Sequence, residues 1–315
     1  MTVMIQIGKS TVLAEPLGLG TNKVGGYNLF PHLNDQMGRD VVKTALDNGI
    51  NMIDTAFVYG YGHSEELIGQ VLKDFPRDKV VVATKGAHYI ESSGLVVRRN
   101  DPAFLRETLE ASLKRLNLDY VDIFYIHFPD GVTPPIEAVE ELTKLKKEGK
   151  LRAIGLSNFD LDQIKAANIT GQIDIVENRY NLFQREPEAK LLPYLMQQQI
   201  TFVPYEPFAE SLLTGRYLDP QNPPRFDFSD HRQKNFLFLP EQVPGNIEKV
   251  AKLQPIAARY NTSIAALVLA WYLKHPLIGA VIPGARTPEQ VLSNVQARDI
   301  DLSNADFETI DGIFK

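Results

Sequence analysis

Short apolar runs rich in β-branched residues alternate along the whole chain with longer segments in which apolar residues recur every three or four positions. The short runs predict buried strands, and the longer segments predict amphipathic helices. Residues 1–16 predict an N-terminal β-hairpin, because segments 3–7 and 11–14 flank a turn sequence around Gly8. After the hairpin, the apolar runs predict eight strands, at residues 17–21, 50–53, 79–84, 121–126, 151–156, 173–176, 200–204 and 279–282.

A predicted helix follows each strand. Ser64 and the pair Asp101-Pro102 are typical of helix starts, and Gly49 and Gly149 stand where helices are expected to end. Consecutive strand–helix units without a long break in composition predict an α/β protein, a single (β/α)8 TIM barrel over residues 1–315. A doubly wound sheet is the alternative, but the G-x-G-x-x-G loop that usually follows its first strand is absent. The helices are predicted at residues 35–48, 64–72, 102–116, 135–148, 160–167, 187–198, 263–273 and 287–297.

The regular alternation is interrupted at residues 206–244, after the seventh predicted strand. This segment is rich in proline and aromatic residues and mixes both charges. Insertions of this length in a compact domain usually have a function. In a barrel, we expect the segment to form a long loop over the carboxyl-terminal mouth, where active sites are built.

The composition narrows the class of protein further. The absence of cysteine excludes disulfides, thiolate zinc sites, iron–sulfur clusters and thiol nucleophiles. The 33 basic and 39 acidic side chains give a net charge of −6, which argues against a nucleic-acid partner. The most apolar window, 263–273, is too short for a membrane span, and no signal-peptide core precedes the first strand. We therefore expect a cytoplasmic protein without a membrane partner, and its state as monomer or homo-oligomer stays open.

Ionisable residues stand at the carboxyl ends of three successive predicted strands. Asp54 follows the second strand, Lys85 the third and His127 the fourth, while Tyr59 lies shortly after Asp54. In a barrel, all four side chains point to one mouth. Each residue alone has an ordinary explanation, since aspartate often forms turns and lysine is mostly exposed. Their conjunction, however, indicates an active site.

This combination of side chains suits acid–base chemistry at a carbonyl group. A tyrosine phenol has a reference pKa of about 10, and a neighbouring lysine cation is expected to lower it. A histidine would hydrogen-bond the phenol or the substrate oxygen, and an aspartate would orient the lysine and keep it charged. The cluster therefore favours protonation of a carbonyl oxygen while hydride reaches the carbonyl carbon, and that hydride must come from a cofactor.

The segments around these four positions, together with later motifs, resemble the signature of the aldo-keto reductase superfamily over nearly the whole chain. Within the superfamily, Gly20-Thr21-Asn22 and residues 126–130 are most similar to a bacterial branch found with inositol-catabolism operons. The matching motifs are Asp54-Thr55-Ala56 with Tyr59-Gly60, Thr84-Lys85, Ile126-His127, Gly155-Leu156-Ser157-Asn158-Phe159, Tyr180-Asn181, Tyr205-Glu206-Pro207, Leu212-Leu213-Thr214-Gly215-Arg216, and 282–290 with Asn294.

By this resemblance, the catalytic residues are Asp54, Tyr59, Lys85 and His127. Tyr59 is implied to be the general acid in reduction and the general base in oxidation. Lys85 and Asp54 are implied to tune it, and His127 to orient the carbonyl group. The resemblance also implies a nicotinamide cofactor, with neither a metal nor a Rossmann fold.

The resemblance implies the ligand contacts as well. Ser157 and Asn158 would hold the nicotinamide carboxamide, Tyr205 would stack on the nicotinamide, and residues 212–216 would cover the pyrophosphate. The full set of implied cofactor residues is Gly20, Thr21, Asn22, Asp54, Ser157, Asn158, Glu177, Tyr205, Glu206, Pro207, Leu212, Gly215, Arg216, Ile282, Gly284, Arg286, Gln290 and Asn294. The residues predicted to line the substrate pocket are Tyr27, Phe57, His88 and Phe128.

The chain departs from the family pattern at three places. Glu177 replaces a common glutamine near the nicotinamide amide, and we hypothesise that its carboxylate favours the oxidised, cationic ring, unless its side chain points elsewhere. Glu206 replaces a serine near the pyrophosphate, where its charge would weaken cofactor binding unless it turns to solvent. Before the last helix Arg286 is the remaining cation. It suits a bidentate contact with a 2′-phosphate and favours NADP(H) over NAD(H), unless it only covers the barrel surface.

The sequence therefore predicts NAD(P)H-dependent reduction of aldehydes or ketones, with a small-molecule carbonyl substrate. Oxidation of a sugar or polyol hydroxyl by the same residues stays open. A cofactor-binding regulatory subunit is a further alternative, although a pure binder has no need of all four catalytic residues. A sugar-phosphate isomerase on the same barrel would need a glycine-rich phosphate cup, which the sequence lacks after the seventh strand.

Overall fold

The computed structural model describes residues 4–219, 221, 223–226 and 230–315. The strands are β1 Ile5–Gln6, β2 Leu13–Ala14, β3 Leu19–Gly20, β4 Met52–Asp54, β5 Val81–Gly86, β6 His88–Ile90, β7 Val96–Arg98, β8 Val121–Ile126, β9 Leu151–Ser157, β10 Ile175–Arg179 and β11 Thr201–Tyr205. The helices are α1 Asp35–Asp47, α2 His63–Leu72, α3 Pro102–Leu116, α4 Pro135–Lys147, α5 Leu161–Ala167, α6 Pro187–Gln197, α7 Val243–Ala251, α8 Gln254–Arg259, α9 Ile264–Lys274, α10 Pro288–Val295 and α11 Asn304–Phe314.

Seven strands form one parallel sheet in the order β11-β10-β9-β8-β5-β4-β3. The segment around Val281 completes the ring between the two edges of this sheet. It forms a parallel bridge with Leu17 on one side, and on the other side the Gly279 N–H donates to the Phe202 carbonyl of β11. The predicted (β/α)8 TIM barrel is therefore confirmed, with the eighth strand reduced to single bridges.

Alternation along the strands separates two apolar layers. Outward residues pack against the helices, whereas inward residues fill the barrel interior. The interior layer consists of Met52, Val81, Ala83, Ile123, Tyr125, Ala153, Ile175, Val203, Ala280 and Ile282, together with Ile7, Val12 and Ala14 from the N-terminal hairpin. At the next inward positions toward the carboxyl ends, several strands carry polar side chains, and these build the site.

The predicted N-terminal hairpin is confirmed by the antiparallel pairing of β1 with β2. Its turn reaches the start of β11, where the Gly8 N–H donates to Thr201 Oγ1 at 2.7 Å. Gly8 has a φ of +53°, and a Cβ there would lie 2.2 Å from the Asp174 carbonyl oxygen, so the turn requires glycine. Val3, the start of the first predicted hairpin strand, lies outside the described residues.

Several elements differ from the sequence prediction. β6 and β7 form an antiparallel hairpin directly after β5, and their three-residue strands are too short to give a periodic signal. Helices α7, α8 and α11 are additional. The predicted loop 206–244 begins at the carboxyl end of β11 and contains short 3-10 turns, and its residues 220, 222 and 227–229 lie outside the described part of the chain. Assignment of the whole chain to one domain stays a prediction.

Candidate active site

Three polar side chains occupy inward positions at the carboxyl ends of barrel strands. Asp54 lies in β4, Lys85 in β5 and Glu177 in β10, each two residues beyond an apolar residue of the interior layer. Because strand side chains alternate between the two faces, this spacing aims all three into the barrel mouth. Their exposed fractions are 1%, 0% and 3%, so the charges they carry are held away from bulk water.

Lys85 is the centre of this cluster. Its Nζ forms an ion pair with Asp54 Oδ1 and donates to the Thr55 carbonyl at 3.2 Å. The same atom lies 3.4 Å from Glu177 Oε2 and 5.5 Å from the ring centroid of Tyr59. Burying a charge is unfavourable unless it is paired and hydrogen-bonded, and Lys85 meets both conditions.

The two carboxyl groups share one positive charge. Burial lowers the pKa of Lys85, but Asp54 and Glu177 outweigh burial and hold this pKa above its usual value. Burial, followed by the charge of Asp54, raises the pKa of Glu177 to about 8, and Lys85 opposes this only in part. Burial also raises the pKa of Asp54, again with Lys85 opposing. At neutral pH the cluster therefore contains a charged Lys85 and a largely protonated Glu177.

The loop after β4 brings Tyr59 beside Lys85, and Asn28 fixes this loop from a neighbouring segment. Asn28 Nδ2 donates to the Val58 carbonyl at 3.1 Å, and its Oδ1 accepts from the Gly60 N–H at 2.8 Å. Asn28 thus holds the backbone on both sides of the phenol. The sequence patterns did not single it out, because its partners are some thirty residues away and a loop asparagine gives no signal of such contacts.

The phenol of Tyr59 is kept in its protonated form. Burial raises its pKa above the ordinary value, Lys85 opposes this, and Asp54 and Glu177 add to the rise. The expectation that Lys85 lowers this pKa holds for the lysine alone, but the net shift has the opposite direction because burial outweighs it. A protonated phenol is the form that a general acid requires.

His127 directly follows β8, with its ring edge toward Tyr59 at a centroid distance of 6.2 Å and an interplanar angle of 84°. Burial lowers its pKa well below the usual range, and Lys85, His88 and Arg98 lower it further. The imidazole is therefore neutral at physiological pH and offers one donor and one acceptor. The four residues predicted to be catalytic converge at one mouth, while their roles in catalysis stay a prediction.

The structure divides the four predicted substrate residues into two pairs. His88 and Phe128 contact the His127 ring, at centroid distances of 4.9 and 5.1 Å. Tyr27 instead contacts side chains of α1 and α2, and Phe57 contacts a side chain of α3. The structure therefore groups His88 and Phe128, but not Tyr27 and Phe57, with the catalytic cluster.

The β6–β7 hairpin forms the wall beside this pair. It supplies His88 at its start and Arg98 at its end, and the Arg98 guanidinium lies 4.1 Å from the Phe128 ring centroid. Burial, and then Arg98, lower the pKa of His88 to about 4, so His88 is neutral as well. The wall is thus aromatic in composition and carries one cation.

Ser157 and Asn158, at the end of β9, lie beside His127. Asn158 Nδ2 donates to the His127 carbonyl and to Ser157 Oγ, each at 3.0 Å. The Tyr205 hydroxyl donates to Asn158 Oδ1 at 2.7 Å, and burial raises the pKa of Tyr205 to about 12. These three predicted cofactor residues are therefore linked in one hydrogen-bonded group at the mouth.

Glu206 is held by a partner within the protein. Its Oε2 lies 3.1 Å from Arg179 Nε, and the Arg179 guanidinium lies 5.7 Å from the Tyr205 ring centroid. The charge that the sequence placed unexpectedly near the pyrophosphate loop is therefore balanced. Glu206 also begins a strained segment, since it and residues 209–211 have positive φ values without being glycine.

The remaining predicted cofactor residues form a buried and an open group. The buried residues support the walls of the mouth: Thr21, for example, donates its hydroxyl to the Asp54 carbonyl at 2.8 Å. The buried group is Thr21, Pro207, Leu212, Ile282 and Asn294. The partly or fully exposed group is Gly20, Asn22, Gly215, Arg216, Gly284, Arg286 and Gln290.

Two further residues of the mouth were missed at the level of sequence. Tyr125 is an inward residue of β8, with its ring centroid 5.5 Å from Lys85 Nζ, and its ring fills the place of a Cβ at Gly155. Counting inward positions along β8 would have found it. Lys23 lies in the loop after β3, and a single lysine in a loop gives no signal that distinguishes it from a surface residue.

The mouth fits a nicotinamide cofactor. Asp54 Oδ2 and His127 Nδ1 are buried and have no hydrogen-bond partner among the described residues. Buried polar atoms normally have partners, so a ligand with its own donors and acceptors is expected there. The carboxamide of nicotinamide carries both.

The fold and the mouth together define the class of protein, a parallel α/β barrel with an acid–base site at the carboxyl ends of its strands. The sequence model of the Aldo/keto reductase family matches residues 16–315. The chain belongs to this family, so the family resemblance inferred from the motifs is confirmed.

Known relatives support this assignment. The NADH-specific methylglyoxal reductase of Escherichia coli (strain K12) is 36% identical, in a match that covers 96% of this chain and 95% of that protein. The glycerol dehydrogenase structure from Gluconobacter oxydans has a TM-score of 0.90 and 31% identity, covering 98% of this chain and 94% of its own. An aldo/keto reductase from Klebsiella pneumoniae, solved with NADP and acetate, has a TM-score of 0.75 and 28% identity, covering 100% and 96%. No helix within the described residues is long and apolar enough to cross a membrane.

Proposed function

We propose that this protein reduces small aldehydes or ketones to alcohols with NADPH, and that Tyr59 supplies the proton. One observation carries the proposal: the buried ion pair of Lys85 with Asp54 lies beside a phenol kept protonated and an imidazole kept neutral. A binding module has no need of this arrangement, because holding such charges away from water is unfavourable. The names of the relatives, a methylglyoxal reductase and a glycerol dehydrogenase, are consistent with it.

The residues of this chain have separate tasks in the reaction. The nicotinamide cofactor, when bound, supplies hydride to the carbonyl carbon. His127 donates a hydrogen bond to the carbonyl oxygen and orients it, for which a neutral ring suffices. Tyr59 transfers its phenolic proton to that oxygen, and the Lys85 cation stabilises the phenolate that remains. Asp54 keeps Lys85 charged, and Ser157, Asn158 and Tyr205 hold the nicotinamide.

The substrate class follows from the wall of the mouth and from the relatives. His88 and Phe128 give an aromatic surface beside His127, and Arg98 adds a cation that suits a second oxygen on the carbonyl compound. A small 2-oxoaldehyde such as methylglyoxal has that chemistry. Oxidation of a polyol hydroxyl is the second candidate, which the glycerol dehydrogenase neighbour favours and which needs the same residues in the reverse direction.

The cofactor preference belongs to the proposal. Arg286 is exposed and has no ion-pair partner among the described residues, which suits a 2′-phosphate and thus NADP(H). The Klebsiella pneumoniae structure contains NADP, whereas the Escherichia coli relative is named NADH-specific, so the relatives point in both directions. Membership in the bacterial inositol-operon branch and a cytoplasmic location are likewise proposals, and both rest on the sequence patterns.

The test combines turnover with cofactor binding. Purified protein is assayed with NADPH and with NADH against a panel of small aldehydes, including methylglyoxal and an aromatic aldehyde, and with glycerol and NADP⁺ in the reverse direction. Tyr59→Phe is expected to lower kcat by about a hundredfold to ten-thousandfold, the usual contribution of a positioned acid. Its cofactor affinity should remain within about twofold, because the removed hydroxyl acts on the carbonyl oxygen.

Tyr61→Phe is the matched control, since Tyr61 lies two residues away and 43% of its surface is exposed. It should retain full kcat. Equal rates for Tyr59→Phe and Tyr61→Phe would contradict the role of Tyr59. Cofactor binding without turnover in either direction would favour a regulatory subunit instead.

A further inference from the structure

A second group of charged residues lies away from the catalytic cluster, in the loops around the barrel mouth. Its central residue is Lys23, in the loop after β3. Lys23 Nζ lies 5.7 Å from the Phe30 ring centroid, and the Arg286 guanidinium carbon lies 5.5 Å from the same ring. The two cations are therefore neighbours, one supplied by the first loop of the barrel and the other by the segment before α10.

The surroundings of Lys23 contain cations rather than carboxylates. Within the described residues, Lys23 has neither a hydrogen bond nor an ion pair with an acidic group. Burial, followed by the charges of Arg286 and Arg232, lowers its pKa to about 8. A partly buried lysine near two arginines is unfavourable by itself, since like charges repel more strongly where water is partly excluded.

The adjoining cavity has the same character. It has a volume of about 420 Å³ and is lined by Arg216, Arg225 and Arg232, with Tyr217 and Phe226 between them. Arg232 is paired with a carboxylate, at 2.6 Å. Arg216 and Arg225 form no ion pair with any described carboxylate. A concentration of cations in a chain of net charge −6 is an arrangement that a multiply charged anion stabilises.

The segment before α10 approaches Lys23. A Cβ at Gly284 would lie 3.4 Å from Asn22 Oδ1 and 3.8 Å from Lys23 Nζ, so the backbone before α10 lies directly beside the ammonium group. The Arg286 N–H donates to Gln290 Oε1 at 2.8 Å, which fixes the backbone from which the arginine side chain extends. The side chains of Lys23 and Arg286 are thus both available at one opening.

We propose that Lys23 acts with Arg286 to bind the 2′-phosphate of NADP(H), and that Lys23 is a determinant of cofactor specificity in this protein. The proposal rests on the proposed function, because it assigns the cationic group to that cofactor. A 2′-phosphate carries close to two negative charges at neutral pH and offers three acceptor oxygens. The ammonium group of Lys23 and the planar guanidinium of Arg286 come from different loops, and both can donate hydrogen bonds to such a group.

The experiment measures binding by calorimetry, without turnover. The ligands are NADPH, NADH, 2′,5′-ADP and 5′-AMP, and the variants are Lys23→Met, Arg286→Met and the double variant. Lys23→Met should weaken NADPH and 2′,5′-ADP by about tenfold or more, as loss of a charge-assisted hydrogen bond predicts. NADH and 5′-AMP should change by less than about twofold. The double variant should lose less than the product of the single effects, because both residues bind one group.

Lys73→Met is the matched control. Lys73 is an exposed lysine at the carboxyl end of α2, on the opposite face of the barrel, and its loss changes the net charge by the same amount. It should leave all four affinities unchanged. Unfolding temperatures of all variants show that each is folded.

A pH series gives a second readout. NADPH affinity of the unmodified protein should fall between pH 7 and pH 9, as Lys23 loses its proton in the free state, and Lys23→Met should lack this decline. The other charged groups that face Lys23 are Arg286 and Arg232, with Asp230 as the partner of Arg232. Arginine keeps its charge throughout this range.

The outcomes separate this inference from the proposed function. Equal weakening of NADPH and NADH in Lys23→Met, or no change in either, overturns the inference even if the enzyme reduces carbonyl compounds. Lys23-dependent binding of 2′,5′-ADP by a protein that turns over no substrate supports the inference and overturns the proposed function. Absence of binding of all four ligands overturns both.

Discussion

Two lysines at the mouth of this barrel have opposite surroundings. Lys85 lies on a strand, fully buried; burial opposes its charge, but two carboxyl groups outweigh burial and hold its pKa above the usual value. Lys23 lies on a loop, and burial together with two neighbouring arginines lowers its pKa to about 8. Both residues carry the same functional group, so the difference comes entirely from what the fold places around them.

The charge of Lys85 is balanced by carboxyl groups of the protein, whereas the charge of Lys23 is the one that we propose a ligand balances. The Lys85 cluster is complete before any ligand binds, which is the condition for stabilising charge that develops in a reaction. The positive charges of Lys23, Arg286 and Arg232 repel one another in the free protein, and a bound anion would offset this repulsion. The two clusters should therefore respond differently when their lysine is removed.

Removal of Lys85 from the group that it forms with Asp54 and Glu177, here called the strand cluster, should have the largest effect. Lys85→Met leaves Asp54 and Glu177 buried without a cation, which should lower the free energy of unfolding by about 3–5 kcal/mol and lower kcat by at least about a hundredfold. Lys23→Met should change stability by no more than about 0.5 kcal/mol, or raise it slightly, because it removes repulsion. Denaturant titrations and single-substrate kinetics measure both quantities.

A double variant is the control for this explanation. Adding Asp54→Asn to Lys85→Met removes the negative charge as well, so it should recover part of the lost stability without recovering activity. Equal stability of Lys85→Met and the unmodified protein would show that the buried charges are not coupled as the structure indicates.

The next largest expected effect is that of pH on kcat, which should differ between reduction and oxidation. Tyr59 has its pKa raised above about 10, so its phenol stays protonated through neutral and moderately alkaline pH. Reduction should therefore keep a level kcat from about pH 6 to pH 9. Oxidation requires the phenolate, whose population grows about tenfold per pH unit below the pKa, so its kcat should rise over the same range.

Both rates are measured with saturating cofactor, which removes any contribution of Lys23 to binding. A reduction rate that falls between pH 7 and pH 9 would show that Lys85 lowers the pKa of the phenol in the working enzyme. That was the expectation from the sequence before burial was known.

Much of the fold and of the strand cluster could be predicted from the sequence, and the reason is periodicity. Apolar runs of strand length alternated with helical segments, so the barrel, its hairpin and the positions of Asp54, Lys85 and His127 at strand ends followed. The eighth strand was also found, although the structure reduces it to single bridges beside Leu17. Local pattern is sufficient wherever the backbone itself sets the direction of a side chain.

Long-range contacts between loops could not be predicted in this way. Tyr27 contacts side chains of α1 and α2 and Phe57 contacts one of α3, which local patterns do not reveal, and their expected role in the substrate pocket stays a prediction. Asn28 and Lys23 were missed because their partners are distant in sequence. The net rise in the pKa of Tyr59 was missed because burial is a property of the whole fold, while the charge of a neighbour can be read from a motif.

Glu177 should produce a smaller, pH-dependent effect on the redox state that the protein prefers. Its pKa of about 8 means that it is mostly neutral at pH 7 and mostly anionic at pH 9. An anion attracts the cationic oxidised ring, so the affinity for NAD⁺ should rise by roughly threefold to tenfold as the pH passes through 8, while that for NADH stays level. Glu177→Gln cannot ionise and should abolish the rise.

NAD⁺ and NADH are the right ligands for this test, because neither has the 2′-phosphate proposed to contact Lys23. The other titratable groups that face Glu177 are Asp54, Lys85, Tyr59, Tyr125 and Tyr205. The effect of Lys23 weakens both redox states of NADP(H) with rising pH, whereas that of Glu177 strengthens the oxidised state alone. An unchanged NAD⁺ to NADH ratio in Glu177→Gln would mean that the carboxyl group does not act on the ring.

The smallest predicted effect concerns the strained backbone at Ser211, in the loop after β11. Ser211 has a φ of +78° and follows two residues that also have positive φ, a conformation that disfavours any residue with a Cβ by about 1–2 kcal/mol. Glycine relieves this strain but loses more backbone freedom on folding, so Ser211→Gly should raise the free energy of unfolding by about 0.5–1 kcal/mol. The hydrogen bonds from Thr214 go to the backbone carbonyl of residue 211 and survive the change.

Ser92→Gly is the matched control, since Ser92 lies in an exposed turn without positive φ. It should lower the free energy of unfolding by about 0.5 kcal/mol in the same chemical denaturation. If both changes destabilise the protein, the left-handed conformation at residue 211 is not strained.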